Sequence, residues 1–158
     1  MTKKNISLNF IDVFSGAGGL SCGMEIAGHK CLLGVEIDKY AVETFKLNHK
    51  YANVYCGDIT KLDSKKLNQL IQDETIHAVV GGPPCQGFST VGLGDPKDKR
   101  NQLFREFVRI VKITNPYYVV IENVTGLLAK KNEKTLTDIF KIFAKMGYQL
   151  DVKVLSAE

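Results

Sequence analysis

Cys85 stands in the segment Gly81-Gly82-Pro83-Pro84-Cys85-Gln86-Gly87-Phe88-Ser89. Its neighbours are glycine, proline and glutamine rather than an apolar stripe, and two prolines stiffen the backbone before the thiol. A cysteine on a rigid turn at the mouth of a cleft is a candidate nucleophile. No histidine lies nearby in sequence to act as its base, so protease chemistry finds no local support. Cys22, Cys31 and Cys56 read instead as small buried hydrophobes. No two cysteines form a Cys-x-x-Cys pair, and His29, His49 and His77 are scattered, which argues against a metal site.

A second polar cluster, Glu122-Asn123-Val124, directly follows the apolar run Val119-Val120-Ile121. A partly buried glutamate there can donate a hydrogen bond as well as accept one. Taken alone, Glu122 is equally a helix-capping acid. Three further features fall at predicted strand ends. The turn Phe14-Ser15-Gly16-Ala17-Gly18-Gly19 permits close backbone approach and leads into a helix with free N–H groups. A dinucleotide turn would place a third glycine at position 21, where this chain has Ser21, and no Lys-Ser/Thr follows to make a phosphate loop. Glu36 lies twenty residues beyond Gly16 and can accept both hydroxyl hydrogens of a ribose. Asp58 can accept an exocyclic amine of adenine, or simply cap the next helix. Each reading is soft by itself; at successive strand ends they outline a nucleoside pocket.

The elements that must position these residues alternate. Strands are predicted over 8–14, 30–37, 53–56, 76–80, 118–122 and 148–155. Helices are predicted over 20–27, 40–48, 64–72 and 102–113, with another around Leu136, Ile139, Phe140 and Phe143, stopped by Gly147. Such alternation predicts an α/β fold, a doubly wound, mostly parallel sheet covered on both faces. In such sheets ligands sit at the carboxyl ends of the strands. The stretch 81–101 has no periodicity, as expected of a functional lid or binding loop.

The chain has 158 residues, 44% hydrophobic and 24% charged. That is enough for one domain with a real core. No apolar run reaches membrane-spanning length, and no apolar signal region follows Lys3-Lys4. A cytoplasmic protein with reduced thiols is expected. The net charge of +4 suits an anionic partner without identifying one.

Taken together, these residues resemble the cytosine-5 DNA methyltransferases. Asp12-Val13-Phe14-Ser15-Gly16-Ala17-Gly18-Gly19 looks like that family's first motif. Pro83-Pro84-Cys85-Gln86 looks like its nucleophile motif, and Glu122-Asn123-Val124 like its cytosine-binding motif. Their order and their placement after strands one, four and five also match. The resemblance implies a Rossmann-like methyltransferase fold with S-adenosylmethionine as methyl donor and double-stranded DNA as substrate. It implies that Phe14 contacts the adenine, Gly16, Ala17, Gly18 and Gly19 approach the methionine part, and Glu36 holds the ribose. Ile37 would pack on the adenine, Asp58 and Ile59 would line its far side, and Pro84 and Leu103 would close over the cofactor. Cys85 would attack C6 of a flipped cytosine, Glu122 would contact N3 and the 4-amino group, and Asn123 would brace the nucleophile loop. Gln86, Ser89 and Arg100 would touch substrate, with Lys97, Lys99 and Arg100 reaching phosphates.

The family pattern continues with a Gln-x-Arg-x-Arg segment, a target-recognition domain and a closing C-terminal helix. None is in this sequence, so residues 1–158 are expected to form the N-terminal part of a catalytic domain, incomplete at the C-terminus. Strand five would keep an unpaired edge. The chain is then expected to be unstable or inactive without a second polypeptide or a further C-terminal region. Such enzymes commonly serve restriction–modification. Methylation of tRNA cytosine and a non-catalytic subunit are the competing functions.

Overall fold

A computed structural model of the chain describes residues 6–84 and 99–156. They divide into two compact units, one of residues 1–83 and 105–122, the other of 84–104 and 123–158.

The first unit holds a five-stranded sheet. Its strands are β1 (Asn9–Val13), β2 (Lys30–Glu36), β3 (Asn53–Cys56), β4 (Ala78–Gly81) and β5 (Tyr118–Ile121). Their order is β3-β2-β1-β4-β5 and every pairing is parallel. Continuously buried runs in β1, β2 and β4 are what a parallel sheet requires, since helices cover both faces. Strand order reverses between β1 and β4, so their carboxyl ends, at Val13 and Gly81, flank the crevice where such sheets bind ligands.

Local signals explain the helices. In α1 (Gly19–Ile26) only Ser21 is fully buried, while Leu20 and Met24 pack against Phe10, Cys31, Phe45, Ala78 and Val80 of the core. In α2 (Lys39–Asn48), the Asp38 carboxylate accepts from the Ala41 N–H at 2.8 Å, and Val42 and Phe45 turn inward. In α3 (Ser64–Ile71), Asp63 caps in the same way on Lys66 N–H at 2.7 Å, and Leu67 and Ile71 are buried. The helix α4 (Lys99–Thr114) places Phe107, Ile110 and Val111 inward at helical spacing.

In the second unit, α5 (Glu133–Lys145) buries Thr135, Ile139 and Phe143; of the predicted stripe, Ile139 and Phe143 are buried and Leu136 and Phe140 half-buried. The Phe143 ring meets Phe104 and Tyr148 edge-on, with centroids 6.3 Å and 6.0 Å away.

The predicted sixth strand over 148–155 does not form. None of those residues pairs with a strand among the described residues, and 151–156 are exposed. The Val152 N–H is taken by its neighbour's Asp151 carboxylate at 2.9 Å, a local bond that competes with a ladder. As expected, β5 is an edge strand among the described residues, where it pairs with β4 alone, with Tyr118 and Val120 exposed. Cys31 is buried as anticipated, but Cys22 and Cys56 are exposed. Cys22 sits on the outward face of α1, beside the inward Ser21, and Cys56 ends the edge strand β3.

Candidate active site

The chain leaves β1 through a sharp turn. Phe14 adopts a left-handed conformation, φ 64°, and both its N–H and that of Ser15 donate to the Val35 carbonyl, at 2.9 Å and 3.1 Å. A non-glycine residue in that region stores strain, and such residues concentrate at functional sites. Phe14 is half-buried there. The turn closes with the Gly18 N–H donating to the Ser15 carbonyl, and Gly18 becomes the N-cap of α1 without any side-chain cap. A side chain at Gly16 or Gly19 would meet nothing within 4 Å. The turn therefore borders open space. Beneath it the Ser15 hydroxyl is buried with no hydrogen-bond partner.

Glu36, at the end of β2, faces the same turn. One carboxylate oxygen accepts from the Gly16 N–H at 2.9 Å; the other accepts from Ile37 and Asp38 N–H at 2.7 Å and 2.9 Å. Ile37 beside it is 67% exposed, an apolar face available for stacking on a planar base. Asp58, after β3, accepts from Thr60 N–H at 2.9 Å, and that bond holds its carboxyl below the usual range. The capping alternative thus holds for Asp58, on the short 3-10 turn Ile59–Lys61, while an ionised acceptor remains at the strand end. Ile59 is buried, so its side chain belongs to the core rather than to an open pocket wall.

At the end of β5, the Glu122 N–H donates to the Gly81 carbonyl at 3.0 Å. A side chain at Gly82 would lie 3.1 Å from the Glu122 carboxylate. The two predicted motif strands are thus locked together where they end. Glu122 is exposed, not partly buried as the sequence suggested, because β5 is the sheet edge. Pro84 is exposed, Leu103 is half-buried on α4, and Asn123 hydrogen-bonds the Val124 N–H through its own side chain at 3.0 Å. Pro84, Leu103 and Asn123 all belong to the second unit. Cys85, Gln86 and Ser89 lie outside the described residues, as does Lys97; for Arg100 the backbone in α4 is described but the side chain is not.

The structure adds residues that spacing had not marked. Ser21, which departs from the dinucleotide pattern, donates its hydroxyl to buried Asp12 at 2.6 Å. Burial pushes the Asp12 carboxyl up to about 6, against the pull of the Ser21 hydroxyl and N–H. His49, at the end of α2, is buried and reaches both the Gly18 carbonyl, at 3.1 Å, and the Glu25 carboxylate, at 2.7 Å. Arg109 of α4 donates to the Ile59 carbonyl at 2.9 Å and to Glu106 at 2.6 Å. No sequence signal separates these from ordinary polar residues. Among the described residues no group of histidine, cysteine or acidic side chains is arranged to hold a metal.

Residues 8–158 match the family model of the C-5 cytosine-specific DNA methylases. The chain belongs to that family. It is 43% identical over 155 residues to the Type II methyltransferase M1.HphI of Haemophilus parahaemolyticus, covering 96% of this chain and 42% of that protein. It is 41% identical over 153 residues to M.DdeI of Desulfomicrobium norvegicum, covering 95% of this chain and 36% of that one. A prophage-encoded DNA modification methyltransferase of E. coli superposes with a TM-score of 0.73 at 36% identity, over 88% of this chain and 38% of its own. The chain thus spans about two fifths of the length of the relatives it matches, and its sheet has the Rossmann-like fold of methyltransferases.

Proposed function

We propose that this chain is the cofactor-binding and nucleophile-bearing part of an enzyme that methylates C5 of cytosine in duplex DNA. The observation that carries the reading is the Phe14–Gly19 turn, with open space beside Gly16 and Gly19, tied to the Glu36 carboxylate at the adjacent strand end. Those features fit S-adenosylmethionine, which supplies an electrophilic methyl group when bound. Phe14, Ile37 and Asp58 would hold its adenine, Glu36 its ribose, and Gly16 to Gly19 its amino-acid part. Pro84 and Leu103 would close over it. Ile59 would contribute through the position of its turn, its side chain being buried.

Cytosine C5 is a poor nucleophile. Addition of the Cys85 thiolate to C6 breaks the C5–C6 double bond and makes C5 electron-rich enough to accept a methyl group. Glu122, at the exposed end of β5, would bind N3 and the 4-amino group and stabilise charge gathering on the ring. Loss of the C5 proton then restores the double bond and expels the thiol. Asn123 would brace the Cys85 loop. The base must leave the stack for this chemistry, with Gln86, Ser89 and Arg100 against the flipped nucleotide and its phosphates.

A target-recognition domain, in a C-terminal continuation or a second polypeptide, would choose the DNA sequence. The Type II names of the relatives favour a restriction–modification setting in the cytoplasm. No helix among the described residues is long and apolar enough to cross a membrane. The test has two parts. The tagged chain is purified from its host and the masses of co-eluting polypeptides are measured. Labelled methyl transfer by the assembled enzyme is then compared on duplex DNA and tRNA, with and without Cys85→Ser. Transfer to DNA that the substitution abolishes supports the reading. Transfer to tRNA alone, or transfer that survives the substitution, overturns it.

A further inference from the structure

The histidine at the end of α2 touches none of the motif side chains, yet it holds the motif's backbone. His49 Nδ1 lies 2.7 Å from the Glu25 carboxylate of α1, and Nε2 lies 3.1 Å from the Gly18 carbonyl. The Gly18 carbonyl can only accept, so Nε2 carries a proton and donates to it, while Nδ1 and the Glu25 carboxyl share the second hydrogen bond. The ring is almost wholly buried, its side chain 2% exposed, and it packs on Phe45 with centroids 4.3 Å apart. A buried polar ring persists when its nitrogens are hydrogen-bonded, and here both are.

This arrangement fixes the one peptide that matters for the turn. Gly18 has φ 93° and caps α1. A Cβ there would collide with the His49 ring and would lie 2.8 Å from Phe45. Glycine and histidine are thus mutually fitted: the missing side chain makes room for the ring, and the ring's N–H holds the carbonyl. Gly16, at the other end of the turn, is held separately by the Glu36 carboxylate.

We infer that His49 is a positioning residue for the cofactor: a buried ring, itself held by Glu25, that anchors the Gly18 peptide and so holds the glycine turn in its ligand-binding shape. The inference rests on the methyltransferase reading of the site. Its energetic basis is that a buried hydrogen bond is costly to leave unmade. The preorganised turn then spares the ligand the cost of ordering it.

The test measures binding of S-adenosylhomocysteine by calorimetry, in the protein with whatever polypeptide or C-terminal region completes it. His49→Phe keeps the ring volume and the packing on Phe45 but removes both ring nitrogens. The expected result is binding weakened by about tenfold or more. Glu25→Gln is the milder variant, because its side chain is partly exposed and an amide still hydrogen-bonds Nδ1. It keeps the fold if His49→Phe does not, and binding should weaken about threefold, since the bond to a charged group becomes a bond to a neutral one. In the wild type, the 15N spectrum of His49 should show a proton on Nε2. Wild-type binding matched within twofold by both variants, or an Nε2 without a proton, overturns the inference. No binding by the wild type overturns the methyltransferase reading itself, and the inference with it.

Discussion

The Gly16 N–H donates to the Glu36 carboxylate at 2.9 Å, joining the loop after β1 to the end of β2 across twenty residues. The same carboxylate holds the Ile37 and Asp38 N–H groups. One acid thereby fixes the shape of two strand ends on the same side of the crevice. Glu36→Ala would leave three backbone donors without that acceptor, and each loss of a charge-assisted bond is worth about 1.5–3 kcal/mol. Binding of S-adenosylhomocysteine should weaken by about tenfold to a hundredfold, and Glu36→Gln should fall between. Titration calorimetry on both variants checks the order. Equal loss in the two would remove the carboxylate's charge from the explanation.

Two glycines two residues apart should fail in different ways. Gly16 has φ 53° but an open flank, whereas Gly18 has φ 93° and no room for a methyl group beside His49 and Phe45. Alanine at either position costs about 1–2 kcal/mol of backbone strain. Gly18→Ala adds a collision with the buried ring and should lower stability by a further 1 kcal/mol or roughly more. Gly16→Ala should cost stability modestly but fill the space the ligand needs, so affinity falls more than stability does. Urea unfolding together with ligand titration separates the two.

Much of this fold is legible in the sequence, because parallel strands buried on both faces must be continuous apolar runs. The segment 53–56 is found as predicted, and β1, β2, β4 and β5 shift by at most two residues at either end. The sixth strand misled because alternation in Tyr148–Leu155 tells which face a strand would bury, not whether a neighbour exists to pair with it. Cys56 misled because a short apolar strand gives no sign of being at an edge. The strand-end positions of Phe14, Glu36, Asp58 and Glu122 are legible in the sequence. Ser21, His49 and Arg109 were not, since their roles depend on side chains brought together from elements as much as 50 residues apart.

Thiol reactivity should follow exposure rather than sequence context. Burial pushes the Cys31 thiol up to about 12, and a thiol that stays protonated does not react. Cys22 and Cys56 are exposed. Under native conditions iodoacetamide should modify Cys22 and Cys56 within the time that leaves Cys31 untouched, as read by peptide mass spectrometry. Early labelling of Cys31 would mean that the β1–β2 core opens readily.

Asp12 gives a pH signature. Its folded carboxyl titrates at about 6 rather than 3.8, because burial disfavours the charge more than Ser21 supports it. The folded protein therefore holds this proton more tightly than the unfolded chain does. The stabilisation is fully present below about pH 4 and is lost as pH rises through about 6, which makes this group a net cost at neutrality. A shift of that size corresponds to about 3 kcal/mol. Asp12→Asn keeps an acceptor for the Ser21 hydroxyl but cannot ionise. The difference in unfolding free energy between variant and wild type should therefore move by about that amount in the variant's favour from pH 4 to pH 7. A difference that stays flat across the range would show that Asp12 is as readily ionised folded as unfolded.

Arg109 tests whether the Asp58 side of the proposed cofactor site is also held from outside the motifs. Its guanidinium donates to the Ile59 carbonyl at 2.9 Å and to Glu106 at 2.6 Å, so it pins the turn that presents Asp58. Ile59 is buried beneath that turn, which leaves the backbone and Asp58 as the parts a ligand could meet. Arg109→Ala removes the donor and leaves both the Ile59 carbonyl and Glu106 without it. Arg109→Lys can keep one bond but not the forked pair. Stability should fall by about 1–2 kcal/mol in the alanine variant and less in the lysine variant. Because the Asp58 turn would face the adenine, the loss of affinity should be larger for S-adenosylhomocysteine than for homocysteine-containing fragments that lack the base. Equal losses for ligands with and without adenine would place Arg109 in general stability and leave Asp58 to hold its turn through Thr60 alone.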